Sequence, residues 1–260
     1  MYPYVEIGQF RLGTYGICAA LGFFAAWAVF KADLARHDLP AKFAGTMVVS
    51  TALAGIVGAK VYFIAETPGA LFASFFTRIS EPTGLSWLGG LIAGTATLCV
   101  LALAYKIPLL MLFDFAGPVG ALVYAFGRMG CLLAGDGDYG RPTSLPWGMA
   151  FPRGIIPAFE AVHPTPIYEV LFSAALFSFL WRLGSKARPL GVVAGTYLAL
   201  SGIARFLVEF IKLNPRIWLG LTNAQFVSLI CIVAGVALLL RAFVKKSDRV
   251  SNRTSASTSA

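Results

Sequence analysis

Charge is scarce in this chain of 260 residues. Only 13% are Asp, Glu, Lys or Arg, against 58% hydrophobic, and the mean hydropathy is +0.76. A soluble domain carries roughly twice that share of charge, so an ordinary soluble globule is excluded. Histidine is scarcer still, with His37 and His163 alone. The four cysteines, Cys18, Cys99, Cys131 and Cys231, have neither disulfide nor metal-ligand spacing, and three lie in apolar runs as small buried side chains do. The opening MYPYVEIGQFRLGTYG lacks the basic segment, short apolar core and small-residue cleavage site of a removed signal. The first apolar run is therefore expected to stay in the mature protein. No soluble domain and no internal repeat is visible.

Apolar runs long enough to cross about 30 Å of hydrocarbon are abundant. Seven are predicted, over residues 14–31, 43–65, 85–104, 107–126, 167–183, 190–211 and 221–243. Lipid gives the backbone no hydrogen-bond partners, so these segments must be helical. The expected fold class is an all-α polytopic membrane protein. Residues 1–244 form one transmembrane domain, and the basic, serine-rich 245–260 form a disordered cytoplasmic tail.

The net charge of +9 sits in alternate connections. Lys31, Arg36 and Lys42 follow the first run, Lys106 the third, Arg182, Lys186 and Arg188 the fifth, and Arg241, Lys245, Lys246, Arg249 and Arg253 the last. The positive-inside rule makes that side the cytoplasm, with the N-terminus outside. The basic clusters are topology signals and contacts for anionic membrane lipid; no nucleic acid is expected as a partner.

The longest interruption runs from Gly127 to Pro152, rich in glycine and carrying Arg128, Asp136, Asp138 and Arg141. It is either an idle outer loop or the working part. Under the expected topology, Tyr15, Lys60, Gly89, Gly90, Arg128, His163, Tyr168, Glu169, Arg205, Glu209 and Gln225 all fall at outer helix ends. Tyr15 suits an interfacial belt, Lys60 can snorkel, and the paired glycines serve close packing or close ligand approach. Arg205 and Glu209, four residues apart, share a helix face and suit an internal ion pair. Thr222, Asn223 and Gln225 look like capping residues. Asp114 lies mid-membrane without an assignable role. Two arginines held at this depth suit phosphate, whose geometry the guanidinium matches, and the phosphate available there is a phospholipid head group. A phospholipid site open to the outer side follows; binding alone does not imply catalysis.

The sequence resembles the prolipoprotein diacylglyceryl transferase family. The resemblance rests on Gly127-Arg128-Met129-Gly130; on Gly135-Asp136-Gly137-Asp138-Tyr139, then Gly140-Arg141-Pro142-Thr143-Ser144-Leu145-Pro146-Trp147-Gly148; on His163 to Glu169; and on Arg205-Phe206-Leu207-Val208-Glu209. Tyr15-Gly16, Gly89 to Ile92 and Leu221 to Ser228 extend it over nearly the whole chain in colinear order. Where many members carry histidine before G-G-L-I, this chain has Leu88, and Cys131 and Ala134 replace asparagines.

The resemblance implies transfer of diacylglycerol from phosphatidylglycerol to the lipobox cysteine thiol of exported prolipoproteins, in a bacterial inner membrane, with the site facing the periplasm. It implies no metal and no organic cofactor. It implies catalytic roles for Arg128, Arg205, Tyr15, His163 and Glu209, and substrate contacts from Arg128, Gly130, Asp136, Gly140, Arg141, Gly89, Gly90, Tyr168, Glu169 and Gln225. With Leu88 in the histidine position, three readings of His163 stay open: it accepts the thiol proton, it merely caps or braces the Pro164–Pro166 turn, or the two arginines acidify the thiol so that no base is required. A lipid transporter or flippase, and a degenerate member acting on another acceptor, are the alternatives.

Overall fold

A computed structural model of the chain describes residues 2–66, 86–186 and 188–258. Among them lie seven helices: α1 (Thr14–Arg36), α2 (Phe43–Glu66), α3 (Trp87–Ala104), α4 (Leu109–Ala134), α5 (Thr165–Gly184), α6 (Val192–Val208) and α7 (Asn223–Thr258). Five of them, α1, α2, α4, α5 and α7 as far as Val244, are long and apolar enough to cross a membrane; α3 and α6 are apolar but shorter. Three antiparallel hairpins punctuate the helices: β1 (Tyr4–Ile7) with β2 (Phe10–Gly13), β3 (Met149–Phe151) with β4 (Ala158–Val162), and β5 (Arg216–Trp218) with β6 (Leu221–Thr222).

Each expected run corresponds to one helix, with shifted ends. The largest inward correction is at α4, which continues to Ala134 and takes Gly127 to Ala134 out of the polar interruption. Glycine in a polar window reads as a break, but Gly130 is a contact. A Cβ there would lie 3.0 Å from Tyr15 Cδ2 and 3.3 Å from Cys18 Cβ, so the missing side chain lets α1 approach. At the other end of the chain, the α7 backbone continues to Thr258, through the serine-rich stretch for which composition predicts disorder.

The chain divides into two compact units: Phe30–Leu112, and Met1–Val29 with Phe113–Ala260. In the first, α2 and α3 pack backbone to backbone. A Cβ on Gly89 would sit 2.3 Å from the Gly58 carbonyl oxygen, and one on Gly58 2.2 Å from Ala93 Cβ. Leu34, Ala44, Met47, Ile64 and Ala102 are buried in this unit, and the Phe43 and Tyr105 rings stack at 4.0 Å. Asp33, buried, pairs with Arg36 at 3.2 Å, and His37 Nδ1 lies 2.9 Å from the Asp33 carbonyl oxygen.

In the second unit, α6 and α7 also meet through glycine: a Cβ on Gly235 would lie 2.6 Å from the Gly195 carbonyl oxygen. Asp114 gains a role that its sequence context did not reveal. Its carboxylate accepts the backbone N–H groups of Gly191 at 2.7 Å and Ala194 at 2.8 Å, capping the start of α6. The first N–H groups of a helix have no intrahelical acceptor, and an anion there also faces the positive end of the helix dipole.

Candidate functional site

The second unit gathers its polar side chains where α4 and α6 end and where α5 begins. The segment between α4 and α5 is folded and packed. Tyr139, Phe151 and Val162 form a small core with Leu132, Met149 and Ala158, and the Tyr139 and Phe151 rings stack at 4.0 Å. The Tyr139 hydroxyl donates to the Ile156 carbonyl at 3.2 Å, and burial pushes its pKa upward. Gly135 and Gly137 hold φ of +63° and +91°, left-handed conformations that favour glycine. Between them Asp136 closes a turn by accepting the Asp138 backbone N–H at 3.2 Å. Gly140 donates to the His163 carbonyl at 2.9 Å and Arg141 to the Ile211 carbonyl at 2.8 Å, which ties the segment to β4 and to the chain after α6. A Cβ on Gly140 would lie 2.7 Å from His163 Cβ, so this crossing admits no side chain.

That framework converges on an ion cluster. Glu169, one turn into α5 and buried, is its centre. Its Oε1 accepts from the Tyr124 hydroxyl at 2.5 Å and from Arg205 Nη1 at 3.0 Å; its Oε2 lies 3.4 Å from Arg128 Nε and 3.1 Å from Lys212 Nζ. Arg128 also pairs with Asp138, and its guanidinium lies 4.8 Å from the Tyr124 ring centroid. Lys212 Nζ reaches Asp138 Oδ1 at 2.7 Å. Arg205 pairs with Glu209 at 2.8 Å, and Glu209 accepts from Asn214 Nδ2 at 2.6 Å. Three cations thus balance three carboxylates. The Glu169, Glu209 and Lys212 side chains are 6%, 0% and 1% exposed, whereas Arg205 and Asp138 are each 26% and Arg128 19%. The accessible face of the cluster is therefore guanidinium and Asp138. Burial first, then Arg128, lowers the Lys212 pKa to about 8, against the pull of Glu169.

Of the residues singled out in the sequence, Arg128, Glu169, Arg205 and Glu209 meet in this cluster. Tyr15 packs beside Gly130 and is 51% exposed. Tyr168 sits at the edge: its hydroxyl accepts from Trp147 Nε1 at 2.8 Å and lies 3.3 Å from His163 Nδ1. Asp136 closes its turn and meets Cys131, and Asp138 is the carboxylate that reaches the cations. Arg141 is held through its backbone, and its side chain is exposed. Gln225, buried, forms a reciprocal cap with Thr222: its Oε1 accepts the Thr222 N–H at 3.0 Å and its own N–H reaches Thr222 Oγ1 at 3.3 Å. Gly89 and Gly90 belong to the other unit, in the contact between α2 and α3.

Sequence reasoning missed Lys212, Asp138 as a cluster member, Tyr124 and Asn214. A signal existed for Lys212. It lies seven residues after Arg205 and three after Glu209, a spacing that continues the same helical face.

The chain matches the family described as prolipoprotein diacylglyceryl transferase over residues 3–241. It is 32% identical over 241 residues to a phosphatidylglycerol–prolipoprotein diacylglyceryl transferase of Geobacter sulfurreducens, covering 86% of this chain and 88% of that one. A Coxiella burnetii (strain Dugway 5J108-111) protein of the same name is 32% identical over 257 residues, with 90% and 94% covered. Phosphatidylglycerol–prolipoprotein diacylglyceryl transferase 2 of Clostridium perfringens is 30% identical over 242 residues, with 90% and 92% covered.

Proposed function

The chain belongs to the prolipoprotein diacylglyceryl transferase family, and from that premise we propose how its ion cluster carries the reaction. The protein is a transferase of lipoprotein maturation, moving the diacylglyceryl group from phosphatidylglycerol to prolipoprotein. The acceptor is the lipobox cysteine thiol. The site faces the periplasmic side of a bacterial inner membrane that all seven helices cross, with the N-terminus outside.

In chemical terms, the thiolate attacks the glycerol carbon that carries the phosphate ester. A C–S bond forms, the C–O bond breaks, and its electron pair leaves on the phosphate oxygen. One proton moves overall from sulfur to the departing glycerol phosphate. Arg128 and Arg205 face the negative charge that grows on the phosphate, and donors aimed at developing charge in a water-poor site lower the barrier most. Glu169 fixes both guanidinium groups from behind. The Tyr168 hydroxyl accepts from Trp147 and meets His163 Nδ1, tying the imidazole to the start of α5. Held on Tyr168 in this way, His163 acts as a brace. The thiol is then acidified by the arginines.

The observation that carries the reading is the pairing of Arg128 and Arg205 with one buried carboxylate while their own side chains stay 19% and 26% exposed. The test is incubation of the purified protein with labelled phosphatidylglycerol and a lipobox peptide. Thioether product and released glycerol phosphate are expected; lipid movement between leaflets without product would replace the enzyme with a transporter. For orientation, a cysteine introduced at Ser144 should react with an impermeant reagent in intact cells and one at Ser247 should not; the reverse would invert the topology.

A further inference from the structure

If Arg128 holds the lipid phosphate, one cluster carboxylate already occupies its place. We propose that Asp138 is a displaceable stand-in for the phosphate, bound to Arg128 in the ligand-free protein and parked on Lys212 when lipid enters. The inference rests on the reading of Arg128 and Arg205 as the phosphate holders.

The three carboxylates differ in what it takes to move them. Glu169 is fixed on a helix, with Tyr124, Arg128, Arg205 and Lys212 around it. Glu209 is fully buried between Arg205 and Asn214. Asp138 is the most exposed of the three, lies on a segment rather than a helix, and divides its oxygens between two cations. Oδ2 faces Arg128 and Oδ1 faces Lys212 at 2.7 Å. The exchange asks the Asp138 side chain to give up the Oδ2 contact with Arg128 and keep the Oδ1 contact with Lys212. The backbone need not move, and it is pinned: the Thr165 hydroxyl donates to the Asp138 carbonyl at 2.7 Å, and Thr165 is fully buried.

Charge favours the exchange. Arg128 already faces Asp138 and Glu169, so a phosphate added without displacing Asp138 would set three anions against one guanidinium. Lys212 prevents the opposite fault, a released carboxylate left unpaired in a buried setting. Lys212 is then a positioning residue acting through Asp138, and the observed pairing is an internal competitor that weakens lipid binding. A place-holder closed about nine-tenths of the time lowers apparent affinity about tenfold.

The experiment uses the full chain in nanodiscs and measures KM for phosphatidylglycerol and inhibition by free glycerol phosphate. Asp138→Asn, with Asp138→Ser as a second neutral variant, should tighten both about tenfold. Lys212→Met should weaken both, and Lys212→Met combined with Asp138→Asn should behave like Asp138→Asn alone. Melting temperature and elution profile select the variants that fold. Neutral variants that bind lipid no better than wild type, while Arg128→Gln still weakens binding, overturn the stand-in and leave the phosphate site intact. A double variant as weak as Lys212→Met makes Lys212 a direct phosphate ligand and also overturns it. Unchanged binding in Arg128→Gln would overturn the phosphate site itself.

Discussion

The contact between α2 and α3 and the cluster at the end of α4 use glycine for opposite ends. In the first, Gly58 and Gly89 bring two backbones together, and a Cβ on Gly89 has a carbonyl oxygen 2.3 Å away. In the second, Gly135 and Gly137 bend a segment and Gly140 lets it cross His163, so that Asp138 faces Arg128 and Lys212. The family resemblance implies substrate contact for Gly89 and Gly140 alike. The difference lies in what the glycine spares room for: another helix in one case, and side chains of both signs in the other. Glycine next to a charge does not mark a site; balanced charge from several elements does.

The comparison can be broken from the cluster side with the largest effect. Glu169→Gln leaves three cations against two carboxylates in a buried setting, and should cost about 3–5 kcal/mol. Unfolding in mixed micelles at rising SDS fraction measures it; a variant as stable as wild type would mean that Glu169 does not hold the arginines. From the packing side, Gly89→Ala should cost about 1–3 kcal/mol, because a backbone carbonyl cannot yield as a side chain can. Unchanged stability with a raised KM for lipid would return Gly89 to a ligand contact. The smallest effect is a pH dependence. Lys212 is cationic below about pH 8 and neutral above it. Asp138 from the segment after α4, Glu169 from α5, Arg128 from α4 and Arg205 from α6 face or influence it. As pH rises from 7 to 9, Asp138 loses the parking cation, so KM for phosphatidylglycerol should rise a few-fold. Lys212→Arg stays charged throughout and should show a flat profile; a rise of the same size in both would remove Lys212 from the account.

Much of this was legible in the sequence because lipid constrains the backbone so tightly. Apolar runs separated by basic connections gave the helices, and Arg128, Glu169, Arg205 and Glu209 were found as charges that had no business at helix ends without a partner. What stayed hidden was of two kinds. The helical course of Gly127 to Ala134 was concealed because glycine that packs and glycine that breaks have the same letter, and only Tyr15 and Cys18 from α1 decide between them. The choice between Asp136 and Asp138 was concealed because a turn of a few residues aims one carboxylate at the backbone and the other at the cations. Asp114 could be seen to need a partner, but its partners, the N–H groups of Gly191 and Ala194, lie far along the chain.

Arg128 is central to the site, through its two-pronged guanidinium rather than its charge. Arg128→Lys keeps the charge and loses the fork that meets Asp138 and Glu169 together. Transfer of labelled diacylglycerol to a lipobox peptide should fall by about 100-fold, with the helical circular dichroism and melting temperature unchanged. A rate close to wild type in the folded variant would contradict the claim that this cluster is where phosphatidylglycerol reacts.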